Sequence, residues 1–188
     1  MKTKRVKRLK CLLFILLCMP FTANATKVEL MGGYYSLTAK TAVGSGSLSN
    51  FGSFYIGYAV PLATQFDMGL AYNLTLSNTF GGDSAFGFDV YLNYFPITRS
   101  SILDYNSDTV HWFSQERLRP FVGAGFSQRQ FQVVQASSYG GFEIKGGVEY
   151  QIKNSYYLKT EIRNLILGGP SKSSVTYRDL ILGLSYEF

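Results

Sequence analysis

Cysteine is nearly absent, and both copies, Cys11 and Cys18, lie within the first 25 residues. There is one histidine, His111, and one tryptophan, Trp112. No Cys/His spacing suited to a metal occurs. Nor is there a glycine-rich phosphate loop opening a helix, or a basic stripe interleaved with aromatics. Cofactor binding and nucleic-acid binding therefore have no residues to rest on, and neither is expected. Long apolar runs are missing too. The one candidate, Cys11–Met19, is nine residues long, whereas a membrane-spanning helix needs roughly 20.

That run has a different reading. It follows the basic stretch Met1–Lys10 and precedes Ala23-Asn24-Ala25, a small-x-small sequence. Basic, apolar, then small is the order of a secretory signal peptide, cut after Ala25 with Ala23 and Ala25 as the recognised residues. Leu17 before Cys18 is too bulky for lipoprotein processing. We therefore expect residues 1–25 to be removed and residues 26–188 to form one domain of 163 residues. Removal takes away six of the 18 Lys and Arg and leaves twelve, against twelve Asp and Glu. The formal charge of +6 belongs to the leader, so the mature chain is neutral and carries no basic signature of its own. It also keeps no cysteine, so disulfides are excluded.

What the mature chain does have is a period of two. Its last residues place Leu180, Leu182, Leu184, Tyr186 and Phe188 on one side, and Asp179, Ile181, Gly183, Ser185 and Glu187 on the other, the geometry of a β-strand. The strand reaches the final residue, so its apolar side is expected to be covered from outside the chain. Seven more alternating segments precede it, separated by Gly, Ser, Asn, Asp and Pro clusters. They start near Val28, Ser53, Phe66, Phe86, Phe121, Gly141 and Tyr156. The clearest sets Phe66, Met68, Leu70, Tyr72, Leu74 and Leu76 against Asp67, Gly69, Ala71, Asn73 and Thr75.

Eight alternating strands fit a soluble barrel or a membrane barrel, and side-chain volume separates the two. An eight-stranded barrel is barely wide enough for its own side chains. Here Gly57, Gly69, Ala71, Gly87, Gly123, Gly125, Gly141, Gly147 and Gly183 lie on the polar face, and most leucines and aromatics lie on the other. The apolar face is therefore expected outside. No Asp, Glu, Lys or Arg falls on it through these spans, as lipid requires, because a mid-bilayer Lys or Arg costs roughly 2–4 kcal/mol. The fold class expected is all-β, an eight-stranded antiparallel up-and-down transmembrane barrel. Backbone groups in hydrocarbon must all be paired, so the first and last strands should close the ring. Connections near 39–51, 77–85, 130–139 and 165–174 are expected to be surface loops, and the termini periplasmic.

The segments Arg119-Pro-Phe-Val-Gly-Ala-Gly-Phe126 and Gly146-Gly-Val-Glu-Tyr150, with the terminal Phe188, resemble the small bacterial outer-membrane barrels of the OmpA-like and OmpW-like kind. The resemblance implies an outer-membrane location in a Gram-negative envelope, with outer-membrane lipids and lipopolysaccharide as neighbours. It also implies an assembly signal, Leu180, Leu182, Leu184, Tyr186 and Phe188, read by the barrel-assembly machinery. These are fold motifs and carry no activity. The OmpA-type peptidoglycan-binding domain is not expected after Phe188, so cell-wall anchoring is not carried over. A monomer is expected.

The polar face carries Asp67, Asp89, Arg129, Glu143, Lys145, Glu149, Lys159, Glu161, Arg163 and Asp179. Charges in so narrow a lumen must pair, so the expectation is a closed interior laced by ion pairs, and a structural or surface-interaction role. The alternative, implied by the OmpW-like resemblance, is a narrow channel for small apolar solutes. The connection 97–117 is long for the periplasmic side and is a candidate docking segment for a periplasmic partner. His111, Ser114 and Glu116 within it are residue types of a hydrolase triad, which brings a lipid-modifying hydrolase into view. The trio is local in sequence and on the wrong side for an outer-leaflet substrate, so no enzyme is expected.

Overall fold

The computed structural model describes residues 26–41, 44–63, 65–76, 84–97, 117–131, 137–153 and 155–188. The leader with Ala23 and Ala25, and His111, Trp112, Ser114 and Glu116 of the long connection, lie outside the described residues. Eight strands follow in order: β1 Lys27–Thr41, β2 Gly44–Ala63, β3 Phe66–Leu76, β4 Ser84–Tyr94, β5 Leu118–Phe131, β6 Ser137–Lys153, β7 Tyr156–Gly168 and β8 Ser174–Glu187. Each pairs antiparallel with its sequence neighbours, and β1 pairs with β8 from Lys27↔Glu187 to Lys40↔Ser174. The ring is closed.

Register sets the width of the cylinder. Stepping straight across from Leu30 leads through Ile56, Tyr72, Phe88, Gln128, Gly140, Gly168 and Ser174 to Lys40, ten residues further along β1. Eight strands with a shear of ten tilt by about 40°. The interior of such a barrel holds side chains and little else.

The outer surface is apolar. Leu30, Phe54, Ile56, Leu70, Phe88, Val90, Val122, Phe142, Ile144, Ile162, Leu180, Leu182 and Leu184 are each about half exposed or more. A soluble protein does not present such a belt, and hydrocarbon is its natural solvent. Tyr58, Tyr94, Tyr150, Tyr156 and Tyr186 gather near the end that holds the termini, where rings meet edge-on or tilted, as in Phe66–Tyr94 (5.1 Å) and Tyr156–Tyr186 (4.9 Å). That is where a headgroup-level aromatic girdle belongs. The C-terminal Phe188 donates its backbone N–H to the Thr26 carbonyl (2.9 Å), tying the two ends of the chain together.

Two expectations need correcting. Residues 39–51 are not a loop, because β1 runs to Thr41 and β2 begins at Gly44. This Ser- and Gly-rich stretch has little strand propensity of its own. Its pairing with β8 on one side, and with itself across the hairpin, supplies the hydrogen bonds that override it. Likewise β5 reaches Phe131 and β6 starts at Ser137, while a 3-10 turn at Pro170–Lys172 occupies part of the last connection.

The second concerns the interior, which holds more than the glycines and ion pairs of the polar faces. It also takes Tyr35, Tyr55, Tyr91, Phe95, Phe121, Tyr157 and Tyr177, all at most 2 % exposed. The glycines are what make this possible. A Cβ on Gly69 would fall 2.2 Å from the Tyr91 ring, and one on Gly147 would fall 2.8 Å from the Phe121 ring and 2.1 Å from the Thr160 carbonyl. Each missing side chain is the seat of a ring. Gly147→Ala should accordingly destabilise the barrel by about 1–3 kcal/mol. Gly46→Ala, where no atom lies within 4 Å of the new methyl, should change it by less than about 0.5 kcal/mol. Urea unfolding midpoints in the same vesicles test the pair, and equal midpoints would refute the packing role.

Candidate functional site in the barrel interior

Inward positions on a tilted strand recur every second residue, so the polar faces of all eight strands converge on one axis. Among the described residues they bring together seven acids (Glu29, Asp67, Asp89, Glu143, Glu149, Glu161, Asp179) and six bases (Lys27, Arg119, Arg129, Lys145, Lys159, Arg163), each at most 7 % exposed. The near balance lets almost every charge find an opposite one.

Three tiers stack along the axis. Nearest the termini, Lys27 Nζ contacts Asp67 Oδ2 (2.9 Å) and Glu149 Oε2 (3.2 Å), and Arg119 lies 3.7 Å from Glu149. Phe95, fully buried just past the end of β4, sits beneath both cations, 4.9 Å from Lys27 Nζ and 4.2 Å from the Arg119 guanidinium. Such cation–π contacts strengthen when water is excluded.

In the middle tier Lys159 Nζ donates to Glu29 Oε1 (2.6 Å) and approaches Glu161 (3.3 Å). Tyr91 Oη donates to Glu29 (3.3 Å). Lys145 is held differently. Its Nζ lies 3.6 Å from both Glu143 and Glu161, longer than a hydrogen bond, and 3.2 Å from the centre of the Tyr91 ring.

The distal tier is built on arginine, whose planar fork can serve several carboxylates at once. Arg163 pairs with Asp179 and with Asp89 (3.1 Å), approaches Glu161 (3.7 Å), and donates to Asn73 Oδ1 (2.8 Å). Arg129 grips both oxygens of Asp89 (2.5 and 3.1 Å). Asn73 Nδ2 also donates to Asp89 (2.5 Å), and Ser53 Oγ donates to Asp179 (3.2 Å). Beyond this tier the interior turns apolar: Tyr35, Leu165, Leu167, Val175 and Tyr177 pack together, with Leu37, Ala39, Leu48, Phe131 and Tyr139 around them. Tyr35 and Tyr177 stack at 5.7 Å, and Tyr177 Oη shares a hydrogen bond with Thr75 (2.8 Å).

All ten charged residues singled out from the sequence, from Asp67 to Asp179, lie in this interior. Lys27, Glu29 and Arg119 were not among them. Carrying the period of two back from Met31 through Glu29 reaches Lys27, and carrying it back from Phe121 reaches Arg119, so the signal was available. Leu180, Leu182 and Leu184 face outward, each more than half exposed, as does Phe188 at 72 %.

Solved structures share this architecture. Neisserial surface protein A superposes with a TM-score of 0.63 at 15 % identity, over 88 % of this chain and 99 % of that one. The N-terminal β-barrel domain of Pseudomonas aeruginosa OprF follows at 0.50 and 13 %, over 88 % and 98 %. The outer membrane protease OmpT from Escherichia coli gives 0.50 and 10 %, over 90 % and 99 %. The chain has the fold of a small outer-membrane β-barrel. Together with the lipid-facing belt, this places the protein in the outer membrane. No protein-family model matches the chain, and no curated protein does. A surface protein, a domain of a larger chain and a protease on one fold leave the role open.

The pairing geometry makes unequal demands on the interior residues. Arg163 faces Asp89, Glu161 and Asp179 at once, whereas Glu143 faces one cation at 3.6 Å and accepts no hydrogen bond from the described residues. Arg163→Met should destabilise the barrel by about 3–5 kcal/mol by stranding buried carboxylates. Glu143→Gln, which removes the surplus acid, should change stability by less than about 1 kcal/mol. Chemical unfolding in vesicles decides, and comparable losses in the two variants would contradict this ranking.

Proposed function

We propose that this protein is a closed outer-membrane barrel with a structural and surface-presenting role. The observation that carries this reading is the continuity of the interior filling. A cation–aromatic layer lies near the termini, an ion network spans the middle, and an apolar cluster fills the distal end. An ion crossing such an axis would have to displace Arg163 and Arg129 from Asp89 and then shed its water among leucine and tyrosine side chains. Both steps are expensive. Above the membrane, the β1–β2 hairpin carries Ser36–Thr41 and Gly44–Asn50 beyond the apolar belt. It is a paired platform for surface contact.

A second reading, a narrow path for small apolar solutes, draws on the apolar lining of the distal mouth, where Leu37, Ala39, Leu48, Phe131 and Tyr139 are partly exposed. It requires the arginine tier to part. The hydrolase reading rests on His111, Ser114 and Glu116 alone and has the least support.

Planar-bilayer recording separates the first two. The closed barrel should give no reproducible unitary current, while Arg129→Ser with Arg163→Ser should produce one. Steady unitary currents from the unaltered protein would reject the closed scaffold. Faster uptake of a small apolar solute into vesicles containing the unaltered protein would favour the second reading.

A further inference from the structure

One charged side chain departs from the outer-surface pattern. Arg178 is exposed on the outward side of β8, one outward step beyond Leu180. Among the described residues, the other exposed Lys and Arg are Lys40, high on the β1–β2 hairpin, Arg117 and Lys153, at the opposite rim, and Lys172, in the turn before β8. Arg178 alone sits at the edge of the belt itself. Laterally it pairs with Asn164 on β7 and Ser36 on β1.

The tilt of the strands lowers β7 relative to β8 by about 3 Å, so Ile166 and, beside it on β6, Phe142 stand level with Arg178. They are 63 % and 76 % exposed. On the other flank Tyr34 and Phe51 are 46 % and 74 % exposed. The guanidinium is thus bracketed by lipid-facing side chains at the distal margin. It is not left to wander in solvent.

One hydrogen bond orients it. Arg178 Nε donates to Asn164 Oδ1 (3.2 Å), and Asn164, which interrupts the apolar face of β7, has this arginine as its partner there. Asp179, its neighbour along β8, points inward and pairs with Arg163, so that carboxylate does not serve the terminal amino groups of Arg178. Hydroxyls surround the position: Ser36 beside it, Ser49 donating to Ser36 (3.4 Å), and Thr176 one outward step above. A positioned guanidinium with its paired donors open, ringed by hydroxyls and standing where acyl chains end, has the chemistry of a phosphate receptor.

We propose that Arg178, oriented by Asn164 and flanked by Ser36 and Thr176, docks a phosphate group of lipopolysaccharide in the outer leaflet, while Phe142, Ile166, Tyr34 and Phe51 contact its acyl chains. This rests on the outer-membrane reading with periplasmic termini. It does not depend on whether the lumen is closed, which conductance reports separately.

The test uses the full mature barrel in phosphatidylcholine vesicles, titrated with bisphosphorylated lipid A and read by the lipid retained in native mass spectrometry. Unaltered protein should hold one lipid A about tenfold more tightly than Arg178→Gln. Arg178→Lys should recover part of the loss, and Asn164→Ala should lose less than Arg178→Gln. Lys153→Gln, at the other rim, should match the unaltered protein. Fully dephosphorylated lipid A should bind the unaltered protein and Arg178→Gln alike, and millimolar inorganic phosphate should not displace lipid A. The proposal is overturned if Arg178→Gln retains bisphosphorylated lipid A as well as the unaltered barrel does. It also falls if dephosphorylated lipid A binds as tightly as the phosphorylated form, or if inorganic phosphate alone competes it away.

Discussion

Hydrocarbon offers a backbone amide no partner, and that one constraint organises this chain. Every N–H and C=O at bilayer depth must be paired by another strand, so eight strands cannot end in an open edge and β8 must return to β1. Closure at a shear of ten then leaves a cylinder of fixed, narrow bore. The outward face is free to be as bulky as lipid allows. The inward face has to share a small volume among side chains from all eight strands.

The interior answers that demand by complementarity between neighbours rather than by uniformly small residues. Glycine on one strand leaves a hollow that a ring from the next strand fills, as Gly69 does for Tyr91 and Gly147 for Phe121. The rings in turn screen the cations, Tyr91 lying against Lys145 and Phe95 against Lys27 and Arg119. The same narrowness forces the charges within reach of one another. Each is desolvated, and what compensates is multiple pairing: Asp89 is met by two arginines and an asparagine amide. Removing any one of these partners is felt by groups on three or four different strands.

Much of this was legible in the sequence, because a strand with lipid on one side and a crowded lumen on the other must alternate strictly. The Phe66–Leu76 segment shows it at every position, and the count of eight, the closure and the outward sense of Leu180–Leu184 followed from the same alternation. The buried tyrosines were harder. Tyr35, Tyr55, Tyr91, Tyr157 and Tyr177 occupy inward positions by parity, yet tyrosine suits an interface girdle as well as a lumen, and its hydropathy does not say which. Arg119 is the second residue of β5, where the alternation that marks a lumen position has only just begun. The strand ends beyond the membrane were illegible for another reason. Ser45–Asn50 is held by tertiary pairing, which leaves no trace in local composition. Arg178 lies one outward step past Leu180, where the apolar run ends and composition does not separate a belt position from a surface one.

The sense of the barrel, oil outside and charge within, is reached most directly by lipid contact. Leu182 faces outward and Tyr91 inward, and the chain's one tryptophan, Trp112, can be replaced by Phe to give a silent background. Single-tryptophan proteins carrying Leu182→Trp or Tyr91→Trp, reconstituted with acyl-brominated phosphatidylcholine, report whether each position touches hydrocarbon. Strong quenching of the Leu182→Trp protein and near-absence of quenching in the Tyr91→Trp protein are predicted. The reverse order would mean that the barrel is inside out.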